Sequence, residues 1–228
     1  MSGLRRTPPQ ATDTEQVLAL QSASLLLGYP DTELYDRLPL LRAAAERLPN
    51  AAADPLLQML EHLRGTDPHE AERTYVDLFD MRRRCCLYLT YYAYGDTRKR
   101  GMALLRFLHA YKSAGFTLVG DELPDHLSVV CEFAASGDRN SGLRLLAEHR
   151  AGLELIRVAL SDLDSPYVHA LDVIRAVLPD PAPRDLDRAL ELARTGPPEE
   201  EVGLEPFAPP EYMGAAAMGA ADAGGPRR

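Results

Sequence analysis

The stretch Asp67-Pro68-His69-Glu70-Ala71-Glu72-Arg73-Thr74-Tyr75-Val76-Asp77-Leu78-Phe79-Asp80 decides the fold class. Asp67 is placed to cap a helix. Pro68 suits the first helical position, where a backbone N–H would be unpaired anyway, and Glu70 sets a carboxylate near the positive helix end. Ala71, Tyr75, Leu78 and Phe79 then recur at i, i+4, i+7 and i+8, the spacing of one helical face.

The same pattern continues outward in both directions. Upstream, Thr12 and Glu15 read as a capping box that opens a helix over 13–27. Val17, Leu18, Leu20, Leu25, Leu26 and Leu27 cover it almost all round, which predicts a buried helix, and Gly28-Tyr29-Pro30 ends it. Helical stretches follow over 31–48, with Pro39 as a break or new start, and over 52–64, closed by Gly65. Downstream, 85–94 reads as a short aromatic helix. Residues 98–114 carry Leu104, Leu105, Leu108 and Tyr111 as one stripe. Pro124 reads as a helix start that presents Leu127, Val130, Cys131 and Ala134. Further helices are expected over 139–160, 166–178 and 184–195. No segment alternates for long with period two, and no hairpin signal occurs. The expectation is an all-α protein, a single compact helical bundle of roughly nine helices over 13–195. A flexible start over 1–12 precedes it. A disordered acidic tail rich in Pro, Gly and Ala follows over 196–228; Phe207 and Tyr212 read there as solvated residues or a short docking motif.

Bulk properties narrow the function. With 228 residues, 46% of them hydrophobic, the chain can build a core without disulfides or a metal. Its 34 acidic and 25 basic residues give a net charge of −9, which argues against general nucleic-acid binding. No apolar run approaches the roughly 18 residues of a membrane span, and Met1–Gln16 lacks the apolar core of a signal peptide. A cytosolic protein with no stable membrane insertion is expected. Three cysteines, two of them adjacent, make no disulfide framework.

Catalytic motifs are missing. There is no phosphate loop, no dinucleotide-binding glycine motif, no HExxH and no nucleophile elbow. Cys85, Cys86 and Cys131 would need His109 or His126 to complete a metal site. Buried small hydrophobes are the simpler reading, so no metal, no cofactor and no catalytic residue is expected. Two features stand out. Residues 81–112 hold eight Lys and Arg against Asp96 alone, a local charge of +7 in an acidic chain. Such a cluster focuses field on a partner, or else it is a set of solvated faces paired with the acidic remainder. The other feature is Asp121-Glu122-Leu123-Pro124-Asp125-His126. A helix start accounts for Pro124 and the acids but not for His126, whose imidazole could face a groove.

Four ordered motifs carry a family resemblance: Tyr75-Val-Asp-Leu-Phe-Asp80, Cys86-Leu-Tyr-Leu89, Gly95-Asp-Thr-Arg-Lys-Arg-Gly101 and Asp121-Glu-Leu-Pro-Asp-His-Leu127. Together they resemble the assembly chaperones of respiratory nitrate reductase, within the wider group of redox-enzyme maturation proteins for molybdoenzymes. The similarity is strong over 75–133, weaker over 13–65 and 139–195, and absent in the tail. It implies an all-helical fold and no catalysis. It implies a partner, the N-terminal segment of the reductase's catalytic (alpha) subunit, held in the cytosol while molybdenum cofactor and an iron–sulfur cluster are inserted. Proteins of molybdenum cofactor biosynthesis are a further implied partner class. Residue by residue, the match falls on Tyr75, Leu78 and Phe79, on Gly95, Asp96, Arg98, Arg100 and Gly101, and on Glu122, Leu123, Pro124, Asp125 and His126. Three features depart from the pattern: Tyr91-Tyr92 stands where many relatives carry Glu-His, Cys86 stands where relatives often have Ser, and the acidic tail has no counterpart.

An amphipathic peptide helix can lie in an apolar groove of a helical protein. Tyr75, Leu78 and Phe79 would supply a wall, or else plain core. Arg98, Arg100, Glu122, Leu123, Pro124, Asp125 and His126 would supply the rim, with Arg98 and Arg100 alternatively bridging Asp80 and Asp121. A nucleotide- or molybdopterin-binding protein using the basic 82–106 region is the competing expectation, and a permanent scaffold subunit is a third.

Overall fold

The computed structural model describes residues 12–196. The expected loose start and tail lie outside them, apart from Thr12 and Gly196. The described residues hold eleven α-helices, and no strand occurs among them. They are α1 (Asp13–Leu26), α2 (Thr32–Ala45), α3 (Asn50–Gly65), α4 (Pro68–Tyr75), α5 (Leu89–Tyr94), α6 (Arg98–Ser113), α7 (Leu127–Ser136), α8 (Arg139–Glu148), α9 (Arg150–Asp162), α10 (Val168–Val177) and α11 (Pro183–Thr195).

The helix starts follow from side chains that satisfy free N–H groups. Thr12 and Glu15 form the reciprocal capping box, with the Glu15 backbone donating to Thr12 Oγ1 at 3.3 Å. Asp67 Oδ1 accepts from the backbone of His69 and Glu70 at 3.0 and 3.3 Å, ahead of Pro68. α1 is central, packed against α2, α7 and α10, which explains why its apolar residues run round most of its surface. α3 closes on α2 and α10, α8 on α7, and α11 on α9.

Three boundaries differ from the sequence reading, each for a local reason. Pro39 does not break α2. It is exposed, so the one hydrogen bond it forgoes lies on the solvent side. The single helix expected over 139–160 is two, α8 and α9, meeting at His149. There the Nδ1 of His149 sits 2.8 Å from the Leu145 carbonyl, the group its own N–H would bond in a continuous helix. Third, α7 begins at Leu127 rather than Pro124, because Leu123–His126 closes a turn, with His126 N–H bonded to the Leu123 carbonyl at 3.0 Å.

α4 continues into a widened π turn over Val76–Asp80, sealed by Met81 N–H on the Val76 carbonyl at 3.1 Å. Tyr75, Leu78 and Phe79 are all buried there. Tyr75 and Phe79 join Tyr29 and Tyr167 in an edge-to-face ring cluster with centroids 4.8–6.0 Å apart. The Tyr75 hydroxyl donates to the Leu27 carbonyl at 2.9 Å, tying this turn to the end of α1.

Candidate functional site

Three of the four sequence motifs meet at one place. After a 3₁₀ turn at Arg83–Cys85, the chain over Leu87–Leu89 runs extended and antiparallel to Asp125–Leu127. Leu89 N–H bonds the Asp125 carbonyl at 3.1 Å, and Leu127 N–H bonds the Leu87 carbonyl at 2.9 Å. This short clasp, whose bridged residues Tyr88 and His126 stand 38 positions apart, joins the start of α5 to the start of α7. The short helix expected over 85–94 is thus confined to Leu89–Tyr94.

Asp125 locks the clasp from inside. It is wholly buried. Its Oδ2 accepts from the Thr90 backbone at 3.0 Å and from the Thr90 hydroxyl at 2.5 Å. Its Oδ1 has no hydrogen-bond partner among the described residues. The charge is balanced by Arg100, whose guanidinium lies 4.0 Å from Oδ2 and whose Nε donates to Thr90 Oγ1 at 3.1 Å. Arg100 also pairs with Asp96 at 3.3 Å and lies 5.5 Å from the centre of the Tyr88 ring. The partners of Arg100 are therefore Asp96 and Asp125, not the expected Asp80 and Asp121. Gly95 makes this reach possible: it ends α5 at φ 55°, ψ −147°, a conformation side-chain-bearing residues disfavour.

His126 is buried rather than open at a mouth. Its ring stands edge-on to Tyr88 at 5.3 Å, and its Nδ1 shares a hydrogen bond with Ser128 Oγ at 2.7 Å. Burial lowers its pKa below the ordinary 6.5, against the opposing pull of Glu122, Asp125 and Asp80. Tyr88 donates to Glu122 Oε1 at 2.8 Å; burial first, then that carboxylate, raises the phenol's pKa. Tyr111 reaches from α6 to donate to the Pro124 carbonyl at 2.5 Å.

The site residues thus divide by depth. Tyr75, Leu78, Phe79, Pro124, Asp125 and His126 are buried, Arg100 is half-buried, and Arg98, Glu122 and Leu123 are exposed. Tyr75, Leu78 and Phe79 form core beneath the clasp and present no open wall in this conformation. Thr90, Tyr88 and Tyr111 do not stand out as site residues in the sequence: Tyr88 is one position of a motif and Tyr111 one of an apolar stripe. Their roles appear only when the fold brings them to the 122–126 segment, 35 positions from Thr90, 34 from Tyr88 and 13 from Tyr111.

The basic cluster of 81–112 does not form one unopposed field. Arg84 pairs with Asp162 at 3.3 Å, Arg106 with Glu148 at 2.9 Å and Arg100 as described. Among the described residues no group of three or more His, Cys, Asp or Glu gathers as metal ligands. Cys85 and Cys131 are buried and Cys86 half-buried, and burial raises all three thiols. No helix among the described residues is long and apolar enough to cross a membrane.

Residues 45–172, which include the whole clasp, match the family model of the nitrate reductase delta subunit. The chain is 39% identical over 154 residues to the nitrate reductase-like protein NarX of Mycobacterium tuberculosis. That match covers 68% of this chain but only 23% of NarX, so the chain spans about a quarter of that relative. It is 30% identical over 166 residues to the probable nitrate reductase molybdenum cofactor assembly chaperone NarJ of Bacillus subtilis, covering 72% of this chain and 90% of that one. Against the NarJ chaperone of Escherichia coli K12 the figures are 31% over 161 residues, 69% and 68%. A crystal structure from Archaeoglobus fulgidus, described as a candidate redox enzyme maturation protein, superposes with a TM-score of 0.53 at 25% identity. It covers 75% of this chain and 98% of that one. By these matches the chain belongs to the nitrate reductase delta subunit family, the family of the NarJ-type assembly chaperones rather than of catalytic enzymes.

Proposed function

We propose that this protein is a system-specific chaperone for a respiratory nitrate reductase. It binds the N-terminal segment of the immature catalytic subunit and keeps that subunit open for insertion of molybdenum cofactor and an iron–sulfur cluster, in the cytoplasm and before membrane assembly. The observation that carries this reading is the family match over 45–172, within which three of the shared motifs converge on the Tyr88–His126 clasp.

In this reading the peptide lies across the clasp. Leu123, 37% exposed, offers an apolar anchor. Glu122 and Arg98 offer charge at the rim, with the half-buried Arg100 beside them and the buried His126 beneath. Tyr75, Leu78, Phe79, Pro124 and Asp125 act from below by fixing the backbone that presents those groups. A preformed rim costs less ordering on binding than a mobile one. Nucleotide or molybdopterin binding through 82–106 is less well supported, because Arg84, Arg100 and Arg106 already have carboxylate partners.

Calorimetry of the full chain with a synthetic N-terminal peptide of the catalytic subunit tests the proposal. Leu123→Asp with Glu122→Lys should weaken binding at least about tenfold, equivalent to ~1.4 kcal/mol. His126→Ala, which removes a Tyr88 contact, should also weaken it. Unchanged affinity in both variants would remove the clasp from the binding surface. Failure to capture the immature catalytic subunit from cells producing it would remove the function itself.

A further inference from the structure

Charge sets α6 apart. Every other helix of eight or more residues among the described residues carries at least one Asp or Glu, whereas Arg98–Ser113 carries none. It holds Arg98, Lys99, Arg100, Arg106 and Lys112 instead. Ala103, Phe107 and Tyr111 turn inward and are buried. The opposite side is open and partly apolar: Met102 is 69% exposed and Leu105 55%, with Leu108 exposed as well. At about 3.6 residues per turn, Lys99 and Lys112 fall on either side of Met102 and Leu105 along that face. Both lysines are exposed, and no carboxylate pairs with either among the described residues. Arg106 shares its charge with Glu148 at 2.9 Å.

A furrow of about 600 Å³ runs beside this face, between α6 and α8. It is no apolar slot for a peptide helix. The Arg106–Glu148 pair joins its two walls, and Asp138, Ser141 and Arg144 line the α8 side. Lys99, Leu108 and Lys112 lie outside it. The apolar and cationic side chains of α6 thus form an outward crest, which suits a plane of anionic headgroups better than an inserted chain. Ammonium groups meet phosphates there, and apolar side chains enter the acyl boundary. The net charge of −9 on the whole chain does not oppose this contact, because charges farther off than about 8 Å are screened at physiological salt.

We propose that the exposed face of α6 docks this protein, peripherally and reversibly, on an anionic lipid surface. Lys99 and Lys112 lie against the headgroup phosphates, and Met102 and Leu105 enter the boundary beneath them. Each cation near such a surface strengthens binding about fivefold, so two of them with two apolar side chains give a weak, salt-sensitive contact. None of these four residues belongs to the clasp, and the contact does not depend on the identity of the chaperone's client.

Co-sedimentation of the full chain with vesicles tests this, using phosphatidylcholine alone and an equal mixture of phosphatidylcholine and phosphatidylglycerol. The mixed vesicles should bind at least about tenfold more strongly, and the difference should vanish in about 0.5 M salt. Lys99→Glu with Lys112→Glu should weaken binding to mixed vesicles by more than about tenfold, and so should Met102→Asp with Leu105→Asp. All four positions are exposed, so circular dichroism should show the fold intact. Leu40→Asp on α2, 67% exposed, should bind as wild type. Equal binding to the two vesicle types overturns the proposal, as do α6 variants that bind mixed vesicles like wild type. Absence of vesicle binding, together with loss of reductase-peptide affinity in the Met102→Asp, Leu105→Asp variant, would give the face to a protein partner and also overturn it.

Discussion

Replacing Asp125 by alanine separates two opposing effects. The wild-type carboxylate is wholly buried, and one oxygen has no partner among the described residues, a cost to the folded state. Against that stand two bonds from Thr90, at 3.0 and 2.5 Å, and the Arg100 guanidinium at 4.0 Å. At that distance the attraction is about 4 kcal/mol for an effective dielectric near 20, most of it consumed in offsetting desolvation. Alanine leaves the buried Thr90 N–H unpaired, at about 1–3 kcal/mol, and leaves Arg100 with the exposed Asp96 as its remaining carboxylate partner. A net loss of about 2–4 kcal/mol is expected. Asp125→Asn tests the assignment, since its carbonyl can accept both Thr90 bonds and only the charge is lost. Its cost should be less than half that of alanine. Urea unfolding followed by far-UV circular dichroism measures both. If Asp125→Ala falls within about 0.5 kcal/mol of wild type, or Asn costs as much as Ala, the clasp is not held by the Thr90 bonds and the reasoning fails.

Other perturbations follow from the same contacts. Gly142→Ala should destabilise by at least about 1–3 kcal/mol, because a Cβ there would overlap the Cα, Cβ and backbone N of Ala134 where α8 crosses α7; a thermal scan matching wild type would disprove that close crossing. Tyr75→Phe should cost about 1–2 kcal/mol by deleting the buried bond to the Leu27 carbonyl while keeping the ring cluster, read by urea midpoint at constant m value. Burial lowers the pKa of His62, His126 and His149 in the fold. The unfolded chain therefore takes up protons first, and stability should be full above pH 6.5. It should fall as pH drops below 6.5 towards the folded values, by up to about 1.4 kcal/mol per pH unit for each histidine still neutral. Stability that rises from pH 7.5 to 5.5 would contradict this.

The sequence by itself determined the helices and much of where they begin. Thr12 with Glu15 and Asp67 with Pro68 act within one turn, so their meaning is local and needs no tertiary partner. The near-continuous apolar surface of α1 likewise announced a central helix. Part of what stayed hidden is a local competition that spacing does not show, and part depends on residues far apart in the chain. The break at His149 comes from a side chain competing for its own helix's carbonyl, a choice the apolar period does not record. The later start of α7 comes from the backbone of Asp125–Leu127 pairing with Leu87–Leu89. The candidate site shows the same division. The motif residues were legible one by one, but whether each is wall, rim or core was not. Spacing tells which residues share a helical face, and only packing tells what covers that face. Burial therefore placed Tyr75, Leu78, Phe79 and His126 inside and left Glu122 and Leu123 outside. Likewise the local charge of +7 is a sum along the chain, whereas a field is a sum through space, and Asp162 and Glu148 enter it only after folding.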